Sequence, residues 1–214
     1  MFIGHFAAGL AAKKWAPKTS VGSLFLAAQW IDLVWPTFLL LGWEKVEIQP
    51  GASVVTPLNF ESYPWTHSLL MVLAWAVLFA FLFGWRSRSM QTGLVMGVLV
   101  CSHWILDWVA HIPDLPLWPT GPKVGLSLWQ HFWPTVVVEF ALFSAAIFFF
   151  KRTMNRLSKP VGWGYYALFG FLGLIYLGNL WGPPPPNVQA IAWAGHLQWL
   201  FVVWAYALDR QKNG

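Results

Sequence analysis

Apolar residues in this chain come in long runs separated by short polar stretches. Phe2 to Ala12 is apolar but brief, about 16 Å as a helix and so half a bilayer, and reads as a half-helix or a short tucked-in first helix. Lys13, Lys14, Pro17 and Lys18 close it, and Thr19 and Ser20 offer caps to the helix that follows. Val21 to Trp43 is long enough to span, is interrupted by Asp32, and is expected to bend near Trp35-Pro36, where proline removes a backbone donor. Glu44 to Trp65 is a polar loop, and Thr66 is expected to cap a second span, His67 to Trp85. Arg86 and Arg88 turn the chain into a third span, Gln91 to Ala110. His111 to Gln130 is too rich in Pro and Gly for continuous helix. His131 to Phe150, Gly162 to Trp181 and Val188 to Leu208 are the fourth to sixth spans, with Pro183 to Pro186 a stiff connector before the last. The expected class is all-α: a polytopic membrane helix bundle of about six transmembrane helices plus the short N-terminal one, forming a single integral membrane domain over residues 1–214 without repeats.

Composition supports this class. Hydrophobic residues make up 57% of the chain and charged residues 10%, with 17 Trp, which is too apolar for a soluble domain of this length. The net charge of +5 is dispersed at the ends of the apolar runs, a topological signature rather than a nucleic-acid patch. The single Cys101 excludes an intramolecular disulfide. Lys13 and Lys14 follow the first apolar stretch instead of preceding it, the wrong order for a cleaved signal peptide, so that stretch is expected in the mature protein. Eleven of the 13 Lys and Arg fall on alternate turns: Lys13, Lys14, Lys18, Arg86, Arg88, Lys151, Arg152, Arg156, Lys159, Arg210 and Lys212. Basic residues are retained inside, so six spans with a cytoplasmic C-terminus are expected. The opposite side holds only Lys45 and Lys123, together with Glu44, Glu47, Glu61 and Asp114.

The third span carries the chemistry. His103, Asp107 and His111 are four residues apart, so all project from one helix face, each about 6 Å further along the axis. Ionisable groups at hydrocarbon depth are expensive and mark function, and a His with an Asp one turn on is a donor pair suited to Zn(II). Counting from the cytoplasmic ends at ~1.5 Å per residue, Asp32, His103, Glu139 and His196 share one level about 17–18 Å up. His5 reaches that level if the first helix pairs with the second. Asp107 is one turn higher, and His111, His67 and His131 lie at the outer rim, so the column is one-sided: a pocket rather than a through-pore. His131 and Asp114, in or beside a loop, are expected to be solvated, and the tryptophans to serve packing and interfacial belts.

His5 near the N-terminus, Ile31-Asp32-Leu33 before Trp35-Pro36, Thr66-His67-Ser68-Leu69-Leu70, and Ser102-His103 with Leu106-Asp107 followed by Pro116-Leu117-Trp118-Pro119 occur in this order. The order resembles the bacterial predicted membrane-bound metal-dependent hydrolases of the LexA-regulated inner-membrane type, over roughly Met1 to Pro119. Two family strings differ: the usual His-Arg-Gly-x-Thr-His reads Ser62-Tyr63-Pro64-Trp65-Thr66-His67, and Pro-Asp-x-Asp reads Gln29-Trp30-Ile31-Asp32, so one His and one Asp are missing. The resemblance implies metal-assisted hydrolysis, with His67, His103 and Asp107 holding a divalent ion, zinc by preference, and Asp32 and His5 as further ligands or as ligands of a second ion. Glu61 or Glu139 is then the proton acceptor and His111 the donor to the leaving oxygen. A pocket opening away from the cytoplasm suits a lipid or small amphiphilic ester or phosphoester drawn from the surrounding membrane lipids. Two other readings use the same residues: an ion-binding carrier, and a haem protein with His103 and His196 as axial ligands.

Overall fold

The computed structural model describes residues 1–154 and 159–212. Arg156 of the basic set lies outside the described residues, as do the side chains of Lys159 and Lys212. In chain order the helices are α1 (Ile3–Ala12), α2 (Val21–Ala28), α3 (Trp30–Leu40), α4 (Leu69–Ser87), α5 (Met90–Ala110), α6 (Phe132–Thr153), α7 (Lys159–Trp181), α8 (Val188–His196) and α9 (Gln198–Lys212). Among the described residues α4, α5, α6, α7 and the α8–α9 pair are each long and apolar enough to cross a membrane, and the α2–α3 pair makes a sixth span. The molecule is thus a helical membrane bundle with the short α1 tucked inside it, nearly all its residues buried.

Several boundaries differ from the expectation for physical reasons. The first long span breaks at Gln29, not at Pro36; α2 and α3 meet at 55°, and Pro36 sits inside α3. Gln29 leaves helical geometry at φ −103°, ψ 1°, and the Ala28 carbonyl just before it accepts the Nδ1–H of His103 on α5. A side-chain donor therefore satisfies a carbonyl at the bend. Thr66 does not cap α4, which begins at Leu69 with Ser68 at its N-cap, because the Thr66 hydroxyl is engaged by Glu44. The two polar loops contain short antiparallel ribbons: β1 (Lys45–Ile48) with β2 (Leu58–Ser62), and β3 (Leu115–Pro116) with β4 (Lys123–Val124).

The basic turns lie together at one end. Gln91 Nε2 donates to the Trp15 carbonyl, bringing the α4–α5 turn beside the α1–α2 turn. The Gly22 N–H and the Tyr165 hydroxyl both donate to Asp209, drawing the end of α9 to the starts of α2 and α7. The ribbons close the opposite end. Between the ends are two apolar clusters, one built around α1, α6, α7 and α9, the other around α2 to α5. Where these clusters meet, His5 of α1 and His103 and Asp107 of α5 are buried, and Asp32 of α3 stands beside them partly exposed.

Candidate metal centre

Asp107 organises the site, and its two carboxylate oxygens face different partners. Oδ2 is 3.1 Å from His103 Nε2 and 3.9 Å from His67 Nε2. Asp32 Oδ1 is 3.5 Å from each of the same two nitrogens. Bonds of 2.0–2.2 Å to a tetrahedral zinc place neighbouring donor atoms about 3.3 Å apart, close to these four separations. On the other side, Asp107 Oδ1 lies 3.0 Å from His5 Nε2 and 3.9 Å from His111 Nε2, and accepts a hydrogen bond from the Met1 α-amino group, itself 3.1 Å from His5 Nε2. The His5 and His103 rings stack at 3.6 Å, nearly parallel. His5–His103–Asp107 and Asp32–His67–His103 each bring three potential ligand atoms within 4.8 Å of one another. All five residues expected to hold metal therefore meet in one place.

Each element delivers its residue for a local reason. The four-residue spacing on α5 stacks His103 and Asp107, and the helix stops so that His111 is its C-cap. Past the 55° bend, Asp32 in the first turn of α3 lies 3.5 Å from His103 of α5. His67 lies in the turn before α4, not on the helix, and its carbonyl accepts the Trp104 indole N–H from α5. Glu139 on α6 accepts the backbone N–H groups of Phe2 and Gly4 at 3.1 and 3.0 Å, anchoring the otherwise unsatisfied start of α1 and so His5.

The outer nitrogens of three histidines are committed. His103 Nδ1 donates to the Ala28 carbonyl at 2.8 Å. His111 Nδ1 donates to Asp114 Oδ1 at 2.9 Å, and the Tyr63 hydroxyl donates to the same oxygen at 2.7 Å. His67 Nδ1 donates to the Thr66 hydroxyl at 2.7 Å, whose own proton goes to Glu44 Oε2. With their protons on Nδ1, all three rings turn an Nε2 lone pair inward, as second-shell acceptors do around metal-bound histidine. Glu44 also accepts the N–H groups of Trp65 and Thr66, and its burial pushes the carboxyl above the usual range despite these donors. Burial, with the neighbouring Asp114 carboxylate, holds the Tyr63 hydroxyl well above its ordinary value, so it remains a donor.

The donor set fits a cation on one further observation. His103 Nε2 is fully buried and forms no hydrogen bond, although two carboxylate oxygens lie within 3.5 Å. A neutral nitrogen facing two anions at hydrocarbon depth calls for a positive charge between them, which a proton on the ring or a metal ion supplies.

The other expected residues are placed as follows. Glu61 is exposed on β2, outside both ligand groups. Glu139 is buried and close, but it serves as the anchor of α1. Asp114 is buried against His111 and Tyr63 rather than solvated. His196, also in neither ligand group, donates from Nδ1 to the Ala192 carbonyl and pairs through Nε2 with the Thr37 hydroxyl. Sequence reasoning did not find Glu44, Thr66, Asp114 and Tyr63 as the supports behind His67 and His111; Thr66 beside His67 was the one available signal. It also missed Gln29 and Trp35, which flank Asp32 and bury an amide and an indole N–H without partners.

No curated protein and no solved structure matches the chain. The sequence profile of the YdjM inner membrane protein matches residues 58–182, a segment that includes His67, His103, Asp107 and His111 but not His5 or Asp32. It extends through α6 and α7, beyond the motifs ending at Pro119, and starts after the N-terminal ones. Because the match covers more than half of its length, the chain belongs to the YdjM inner membrane protein family.

Proposed function

We propose that this protein is a metal-dependent membrane hydrolase with one divalent ion, zinc by preference, held by Asp32, His67, His103 and Asp107, acting on an ester or phosphoester of a lipid-like amphiphile. The observation that carries the reading is the bare, buried Nε2 of His103 between two carboxylates, with the other nitrogen of the ring already spent on Ala28. Such a site, with N and O donors only, is of the type in which zinc supplies Lewis acidity and an activated water near neutral pH. The protein's own groups supply the rest. Asp32 is the exposed member of the four, its side chain 24% accessible against at most 4% for the others, so it marks the side from which substrate and water enter. His111 is buried with Nδ1 fixed on Asp114, so that its Nε2, 3.9 Å from Asp107 Oδ1, is the nitrogen that accepts a proton and returns it to the leaving oxygen. His5 holds Asp107 from behind.

The test is elemental analysis of purified protein, with hydrolysis of a water-soluble phosphodiester and of phospholipid measured on the same samples. The expected result is one zinc per chain and metal-dependent turnover, both lost in His103→Ala and Asp107→Ala variants that still fold. Full metal content in both variants would overturn the site.

A further inference from the structure

Helix α3 packs along α8, and α4 packs along α5. Between α3 and α4, toward the end closed by the ribbons, is a cavity of about 390 Å³ lined by Phe38, Trp43, Trp65, Met71 and Trp75. Its size is within the range of small-molecule sites. Trp75 is fixed as one wall, since its indole N–H donates to the Trp65 carbonyl at 3.1 Å and its ring packs edge-on against Trp30 at 5.5 Å.

The cavity is tied to the metal centre through both walls. Trp65 precedes His67 by two residues, and Phe38 follows Asp32 by six on the same helix, about 9 Å along its axis. The lining brings no charged side chain. Both walls belong to membrane-crossing elements, and α4 buries only 17% of its apolar window inside the protein, leaving most of its surface to the bilayer. Trp43 and Trp65, 58% and 46% exposed, stand at its edge as tryptophans do at a membrane interface.

We infer that this cavity receives the hydrocarbon chain of a bilayer amphiphile whose polar head reaches the metal centre, an inference that rests on the hydrolase reading for the fate of the head but not for the seat of the chain. Hydrocarbon is what surrounds these two helices, and an aromatic cleft without charge fits a flexible chain better than a folded partner.

The experiment uses the full chain in phosphatidylethanolamine–phosphatidylglycerol vesicles carrying a trace of phosphatidylethanolamine with a photoactivatable diazirine in its acyl chain, followed by mapping of adducts. Labelling of Phe38, Met71 and Trp75 is expected to exceed several-fold that of Val77 and Phe81, which are 70% and 66% exposed on α4. Met71→Trp, which fills the cavity, is expected to lower the labelling several-fold, whereas Val77→Trp does not. Even labelling over the exposed residues of α4, or labelling indifferent to Met71→Trp, overturns the inference. Asp32→Asn is expected to keep the labelling. Enriched labelling in a protein that binds no metal would refute the hydrolase reading and leave the cavity's role standing; metal-dependent turnover with even labelling would do the reverse.

Discussion

The Nδ1–H of His67 has one acceptor, the Thr66 hydroxyl, and that hydroxyl has one proton, which goes to Glu44. The chain Glu44–Thr66–His67 therefore selects the tautomer whose Nε2 lone pair faces Asp32 and Asp107, as Tyr63–Asp114–His111 does at the rim. Thr66→Val keeps the shape but removes the acceptor, so zinc affinity measured by chelator competition is expected to fall about 10–100-fold, while Thr66→Ser stays near wild type. Equal affinity in the two variants would contradict the tautomer argument. At this scale the sequence was most legible where one helix supplies the spacing: His103 and Asp107 are fixed relative to each other by α5 alone. The pairing of Glu44 with Thr66 depends on β1 returning beside β2, a contact across 22 residues with no local signature. Asp114 looked solvated because its partners Tyr63 and His111 come from separate segments.

Among the elements, α4 and α5 form the closest pair, joined by the tight turn after Ser87. Gly93 and Gly97 on α5 face α4 so closely that a Cβ at Gly93 would stand 2.5 Å from the Ala80 carbonyl and 3.0 Å from Gly84 Cα, and one at Gly97 3.0 Å from the Ala76 carbonyl. Small residues four apart allow this approach between membrane helices. Gly93→Ala is expected to destabilise the folded protein by about 1–3 kcal/mol, read as a lower thermal midpoint in detergent; an unchanged midpoint would mean that the helices separate freely. The spans themselves were readable from hydropathy, since each must bury its backbone polar groups in its own hydrogen bonds. The bend was not, because Pro36 drew attention to the wrong place. Proline at that position costs α3 one donor without breaking it, whereas at Gln29 the preceding carbonyl is taken by a histidine from another helix.

For the whole molecule, the basic turns gather at one end and the ribbons, the rim histidines and the aromatic cavity at the other. The bias of Lys and Arg predicts that the basic end faces the cytoplasm, so a fluorescent reporter fused after Gly214 should be active and alkaline phosphatase at the same position inactive; the opposite pattern would invert the bundle. The inner-membrane family and the helical bundle set the protein in its solvent, and the convergence of α1, α3, α5 and the His67 turn sets the donor atoms in one hollow. X-ray absorption of the zinc-loaded protein tests that convergence most directly. The expected first shell is nitrogen and oxygen alone at about 2.0–2.2 Å, with imidazole outer-shell scattering that diminishes in His103→Ala. A sulfur neighbour at about 2.3 Å, which would implicate Cys101, or a spectrum unchanged by the substitution, would contradict it.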